Sequence, residues 1–304
     1  MKRAKFYIPF FLFLITVHFT KAQTLPATKQ DSLLAAPVTT PEKKKTALTI
    51  GTIYLPKLHF YGRTDSLKST AIAPNLLLQF GNGIYLSSTV IFLNNKQTPF
   101  NYGATIAGAG YRFGKLKGLA GSIYGDLFFY ANKGLVQSSQ KGQVGFNLSY
   151  LNSFLNINGS GSTIFSDNND YFTSVGVDHR FRFKKGKSIF VIIPSFTANA
   201  GTQNFTSTYY KTRSANGIPL PPEQVTETSK KFQLLSFEAS VPIVYVYKKL
   251  ALSFTPGYVI PQNIIKVAGR PDLSENASNL FYANVGVFFT FKKGTKKKKQ
   301  PAQI

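Results

Sequence analysis

The chain has 304 residues, enough for one large domain, with 43% hydrophobic and 14% aromatic side chains, 24 Gly, no Cys and no Trp. The lack of Cys excludes a disulfide framework and any thiolate metal site. The formal charge of +24, from 36 Lys and Arg against 12 Asp and Glu, calls for an anionic partner or surface.

Met1 to Gln23 reads as a secretory signal. Lys2, Arg3 and Lys5 form a positive n-region, Ile8 to Val17 an apolar core, and Thr20-Lys21-Ala22 puts small residues at the −3 and −1 positions. That core is too short for a spanning helix, and no later window holds 18 consecutive apolar residues. Cleavage removes Lys2, Arg3, Lys5 and Lys21, leaving 32 basic and 12 acidic residues, or +20. Export argues against nucleic acid as the partner and leaves lipopolysaccharide phosphates, anionic lipids and small solutes. Thr24 to Thr46, rich in Pro, Thr, Ala and Lys, shows no sustained periodicity and reads as a flexible periplasmic leader. The expected organisation is a signal over 1–22, a leader over 23–50, a barrel over 51–291 and a polybasic tail over 292–304.

From Gly51 the chain alternates between faces, as strands require. A first candidate strand covers Gly51–Tyr61 and contains Pro56, which suits an edge or a strand entry. The next two, Thr70–Phe80 and Ile84–Leu93, flank Gly81-Asn82-Gly83, a strong hairpin signal. Tyr102–Phe113 and Leu119–Tyr130 flank the turn Gly114–Gly118. Gln140–Tyr150 and Phe154–Phe165 flank Leu151–Ser153, and Tyr171–Phe183 and Ser188–Ala198 flank Lys184–Lys187. Phe232–Tyr247 and Leu250–Pro261 flank Lys248-Lys249, and Asn279–Phe291 ends the series. In this last strand Phe281, Ala283, Val285, Val287, Phe289 and Phe291 form an apolar face opposite a mixed one.

These twelve candidates have an asymmetric layout. Tight turns follow the even-numbered strands, whereas longer connections follow the odd-numbered ones: Arg63–Ser69, Asn94–Asn101, Ala131–Ser139, Ser166–Asp170, Gly201–Lys231 and Gln262–Ser278. Short turns at one end and long loops at the other predict an all-β fold, a transmembrane antiparallel up-and-down β-barrel of about twelve strands. A soluble periplasmic β-sandwich that binds a ligand is the competing fold; strands of 10 to 14 residues and unequal loop lengths disfavour it.

The ladder Phe281 to Phe291, the Ala22-Gln23 junction and the repeated hairpins make the chain resemble the uncharacterised small outer-membrane β-barrel proteins of Bacteroidota. The resemblance covers roughly Gly51–Phe291. It implies residence in the outer membrane among lipid and lipopolysaccharide, and delivery by the barrel assembly machinery, which reads a terminal aromatic. Here thirteen residues follow Phe291.

Little in the sequence carries chemistry. Outside the signal the only histidines are His59 and His179, and there is no HExxH, nucleophile elbow or GxxxxGK[ST] loop, so no metal or other cofactor is expected. A barrel enzyme acting on envelope lipid would have to draw on Ser174, Asp178 and His179, but His179 alternates with Val177 and Phe181 while Asp178 and Ser174 face the other way. Asp126, Asp178 and Glu238 fall on polar strand faces with Tyr124, Arg180 and Arg182, which predicts either a salt-bridge network of acids and bases filling the lumen or a lumen site for small anionic or zwitterionic solutes. In the connection Gly201–Lys231, Tyr209, Tyr210, Lys211 and Arg213 suit contact with carbohydrate or lipopolysaccharide or a plug folded into the lumen, and a mobile surface loop is the alternative. Gly108-Ala109-Gly110 reads as a place of close packing. The functional expectation is a non-enzymatic barrel, either a narrow passive channel or a structural and surface-interaction protein.

Overall fold

The computed structural model describes residues 46–64, 68–96, 99–116, 118–131, 140–166, 169–215, 218–264 and 277–292, without the side chains of 115–116 and 203–230. The signal, the leader to residue 45 and the tail from 293 lie outside these residues. Twelve antiparallel strands form a closed barrel. They are β1 (Ala47–Leu55), β2 (Thr70–Gln79), β3 (Ile84–Asn94), β4 (Asn101–Leu116), β5 (Leu119–Tyr130), β6 (Gly142–Tyr150), β7 (Asn156–Phe165), β8 (Asp170–Asp178 and Phe181–Lys185), β9 (Ser188–Ile192 and Ser195–Ala215), β10 (Ile218–Ser240 and Ile243–Tyr247), β11 (Leu250–Pro261) and β12 (Leu280–Lys292). Each strand pairs with its sequence neighbours, and β12 closes the sheet on β1 through Ala47↔Lys292 to Tyr54↔Val285.

Alternation gives this sheet two surfaces. Large apolar side chains stand exposed on the outer face of every strand, among them Ile50, Leu76, Ile123, Leu127, Val175 and Phe281. A soluble protein rarely exposes a continuous apolar belt; a transmembrane barrel requires one. A sandwich is thereby excluded. The inner face carries the buried residues, both apolar and polar.

Three expected elements differ. The strand expected at Gly51–Tyr61 starts at Ala47, within the expected leader, and stops at Leu55. Pro56 has no N–H for the ladder, so the chain leaves the sheet there and forms a small hairpin of its own, His59–Phe60 with Arg63–Thr64. The connection expected at Gly201–Lys231 is instead strand. Past Gly201 and Leu234, β9 and β10 pair only with each other, from Thr202↔Phe232 to Ala215↔Ile218, a ribbon of roughly 45 Å at about 3.3 Å per residue. The Thr- and Tyr-rich segment has high strand propensity, and an isolated ribbon has two open edges that tolerate Pro219, Pro221 and Pro222. Tyr209, Tyr210, Lys211 and Arg213 lie in this ribbon, their side chains outside the described residues.

The third difference is a set of breaks within β8, β9 and β10, at 179–180, 193–194 and 241–242. Pro194 and Pro242 cannot donate to the ladder, and their placement in register concentrates the interruption in one row. The row keeps its acceptors: Pro194 O takes the His179 N–H, Pro242 O that of Ile193, and Pro256 O that of Val241.

A cation on the outer belt tests the membrane-facing assignment. Ile123→Arg, near the middle of β5, should destabilise the barrel in lipid vesicles by about 2–4 kcal/mol. Ser149→Ala on the inner face should cost about 1 kcal/mol or less. Equal losses in urea unfolding would contradict the two-faced wall.

Candidate functional site

The lumen divides into an apolar end and a polar end. At the long-connection end, Phe128, Ile164, Phe172 and Leu235 form a buried cluster from β5, β7, β8 and β10, and Phe60, Tyr61, Ile106 and Tyr130 pack against it. Phe60 and Tyr61 belong to the hairpin that leaves β1. Their ring centroids lie 5.6 and 6.1 Å from that of Phe172, on a strand far around the wall from β1. The hairpin therefore crosses the lumen. Its base joins a second cluster through Leu58, with Ile53, Leu55, Ala71 and Leu93.

The hairpin turn is tight, with Tyr61 at φ 51° and Gly62 at φ 84°. Two successive positive φ angles are those of a primed two-residue turn, and the packing around Tyr61 holds a residue that is not glycine in this region. Gly62 abuts Pro261, where a Cβ would come within 3.1 Å of the proline ring. Arg63 supplies the polar anchor: Nη1 donates to the carbonyl of Leu235 (3.2 Å) and Nη2 to that of Gln262 (3.0 Å). Leu235 sits at a bulge of β10, Asn199 pairing with Ser236 and Ala200 with Leu234, and its carbonyl also accepts the Gln262 N–H at 2.8 Å. The extra residue turns inward and is fully buried.

Below the hairpin, rings lie flat on the wall because the residue directly opposite each is glycine. Tyr85 faces Gly110, Tyr124 faces Gly145, Phe172 faces Gly201, Tyr282 faces Gly257 and Phe288 faces Gly51. A Cβ at any of these glycines would overlap its ring, and one at Gly108 would overlap the Asp126 carboxylate. Gly108 and Gly110 thus serve close packing. Tyr282 extends over Gly257 on β11 to reach β10, where its hydroxyl donates to Glu238 Oε1 at 2.7 Å in a buried position. His59 of the hairpin lies against the same tyrosine, ring centroids 4.9 Å apart. Burial, and secondarily the Glu238 carboxylate, push the Tyr61 phenol above its ordinary range.

Among the described residues, the acids expected to form a network with bases meet neutral donors. Asp126 accepts from Gln143 Nε2 at 2.8 Å, and Asp178 accepts from the side-chain amides of Asn156 and Asn158 rather than from Arg180 or Arg182. Tyr124 sits two residues from Asp126 on the same face, while Glu238 belongs with Tyr282, so the acids occupy separate settings. Arg180 lies in the break of β8, and Arg182 beyond it, exposed near the short-turn rim. The longer β8 and the ribbon also put Asp170, Glu223 and Glu227 in strands. Ser174 bonds Ser160 (2.6 Å), and His179 Nδ1 meets the Phe154 carbonyl, so neither joins Asp178. Among the described residues no group of three His, Cys, Asp or Glu could hold a metal ion.

Three inward amide oxygens stand out in the lumen. The Oδ1 atoms of Asn75, Asn199 and Asn284 are buried without a protein donor among the described residues. A dry core satisfies such groups, whereas a hydrated lumen offers them water.

No family model matches the chain, and no curated protein matches it in sequence. Among solved structures it is similar to the KdgM porin (13% identity, 81% of this chain and 99% of that one, TM-score 0.43). It is also similar to an outer-membrane channel from Pseudomonas putida F1 (12%, 83% and 100%, TM-score 0.44). A third is the β domain of the Bordetella autotransporter BrkA (8%, 81% and 100%, TM-score 0.42). At these scores the similarity adds nothing to the topology.

Two measurements probe the hairpin's surroundings. Tyr282→Phe removes a buried donor from a carboxylate and should cost about 1.5–3 kcal/mol in equilibrium unfolding. Gly257→Val, which displaces the whole ring, should cost more; the reverse order would deny the ring its seat. Because the folded state raises the Tyr61 pKa, its contribution holds below the free phenol value of about 10 and is lost as pH rises beyond it. Hairpin docking, followed by protection of its amides from exchange, should weaken there, and less in Tyr61→Phe.

Proposed function

We propose that this protein is a non-enzymatic β-barrel of a Gram-negative outer membrane, exported by its N-terminal signal, and that it acts as a narrow passive channel constricted by the hairpin His59–Thr64. The observation that carries this reading is the hairpin laid across the lumen and held on the far wall by Arg63. A barrel with a purely structural role could fill its interior with side chains alone. Here a separate segment, part of the connection from β1 to β2, occupies the lumen. Short turns at one rim and long connections at the other set the short-turn rim toward the periplasm. The separation of His179 from Asp178 and Ser174 favours a non-enzymatic role over hydrolysis of envelope lipid. The solutes that fit are small and polar, since a twelve-stranded lumen crossed by a hairpin leaves little cross-section.

Conductance in planar bilayers tests this. The wild-type protein should give small single-channel steps, and replacing 57–68 by a short Gly-Ser link should raise them several-fold. Arg63→Ala should give intermediate, flickering steps, because the hairpin keeps its apolar contacts but loses its anchor. Equal conductance with and without the hairpin, or none in either, would refute the constricted channel.

A further inference from the structure

The positive charge is unevenly placed around the short-turn rim. The end of β8 and its turn to β9 carry Lys184, Lys185 and Lys187, the turn between β10 and β11 carries Lys248 and Lys249, and β12 ends on Lys292; all six are exposed. These elements are contiguous. Ser188 pairs with Tyr247, Leu250 pairs with Phe289, and the Thr290 N–H donates to the Lys249 carbonyl at 2.8 Å. They form one arc covering β8 to β12. Between these lysines and the level of Asp178 and Glu238 no carboxylate stands in the arc among the described residues. Of the other short turns, Phe80–Gly83 and Leu151–Leu155 contain no cation, while Gly114–Gly118, set apart from the arc between β4 and β5, carries Lys115 and Lys117.

The same arc carries a belt of rings on the outer face. Phe181, Phe183, Phe190, Tyr245, Phe289 and Phe291 stand exposed at the level just inside the lysines. The two layers touch: Lys248 Nζ lies 5.1 Å from the Tyr247 ring centroid and Lys249 Nζ lies 5.4 Å from that of Phe291. Rings of this kind mark the boundary between hydrocarbon and headgroups, so the ammonium groups above them stand at headgroup depth.

We infer that the short-turn rim over β8 to β12 is a docking surface for anionic glycerophospholipid, whose phosphates meet the lysines while the acyl chains lie along the aromatic belt. A soluble anion would use the charges alone; a lipid uses both layers. Six mobile ammonium groups suit several phosphates at loosely fixed positions rather than one bidentate site. The inference rests on the outer-membrane reading, which sets this rim in the phospholipid leaflet.

The test uses the full-length protein in nanodiscs of mixed phosphatidylcholine and phosphatidylglycerol, after a heat-dependent gel shift has shown the folded barrel. Native mass spectrometry should find phosphatidylglycerol enriched about tenfold around the wild-type protein at low salt. Enrichment should fall toward unity when Lys184, Lys185, Lys187, Lys248 and Lys249 are all changed to Gln, and by part of that range with either turn alone. Lys96→Gln, at the opposite rim, should change nothing. Unchanged enrichment in the five-site variant would overturn the proposal, as would equal competition by soluble glycerol phosphate or preferred capture of anionic cell-wall fragments in its place. Absence of the gel shift would instead remove the membrane reading itself, a failure separable from loss of lipid preference in a protein that does shift.

Discussion

Closure of the sheet on itself is the constraint from which the remaining structure follows. In hydrocarbon each unpaired backbone group costs several kcal/mol, and an open β1 and β12 would leave two rows of them. Pairing from Ala47↔Lys292 to Tyr54↔Val285 removes both edges at once. The same constraint explains where the prolines sit. A proline in the wall removes one donor, and scattered prolines would weaken several parts of the ladder. Pro194 and Pro242 share a row in which their own carbonyls still accept, as does that of Pro256, so the wall yields in one place and stays regular elsewhere.

Closure with twelve strands also fixes a narrow interior, and the inward side chains have to fit it. Glycine opposite an aromatic is the recurrent solution: the ring takes the space of the absent side chain and lies along the wall instead of pointing at the axis. Tyr282 shows the further use of this arrangement. Resting on Gly257, it spans one strand and brings a donor to Glu238 on the next but one. Acids in such a lumen are held by groups already in the wall. Asp126 uses an amide and Asp178 two, which avoids the desolvation of a second charge that a buried ion pair entails.

Most of the wall was legible because period-two alternation and turn chemistry act locally. Gly81-Asn82-Gly83, Gly186 and Lys248-Lys249 fix their hairpins within a few residues, and β5 and β11 coincide with the expected ranges. The lumen was less legible because it depends on which residues face each other across strands. That Gly110 faces Tyr85, or that Asn156 and Asn158 reach Asp178, follows from register, which alternation leaves open by steps of two. The inward hairpin was marked only by Pro56 and by Tyr61-Gly62, and the same dipeptide would serve a turn in an outward loop. The ribbon was hidden by Pro219, Pro221 and Pro222, which argue against strand inside a sheet but not on an open edge. Ile193-Pro194 and Val241-Pro242 did carry a signal for the breaks in β9 and β10.

The hairpin is received by irregularities of the wall rather than by its regular surface. A regular strand turns only alternate side chains inward, so it offers little to a segment lying across it. The bulge in β10 supplies both an extra inward side chain, Leu235, and a carbonyl that Arg63 can reach. Gly201 lets Phe172 lie flat to meet Phe60 and Tyr61, and Pro261, near the end of β11, gives the turn glycine a surface to rest on. Arg63 suits this position because a planar fork reaches the carbonyls of Leu235 and Gln262 together, where a lysine would offer a single point charge. The defects in the barrel and the segment that crosses it are therefore one design. Removal of the bulge would leave Arg63 only the Gln262 carbonyl to hold, and removal of the hairpin would leave the bulge a buried leucine facing an emptied lumen.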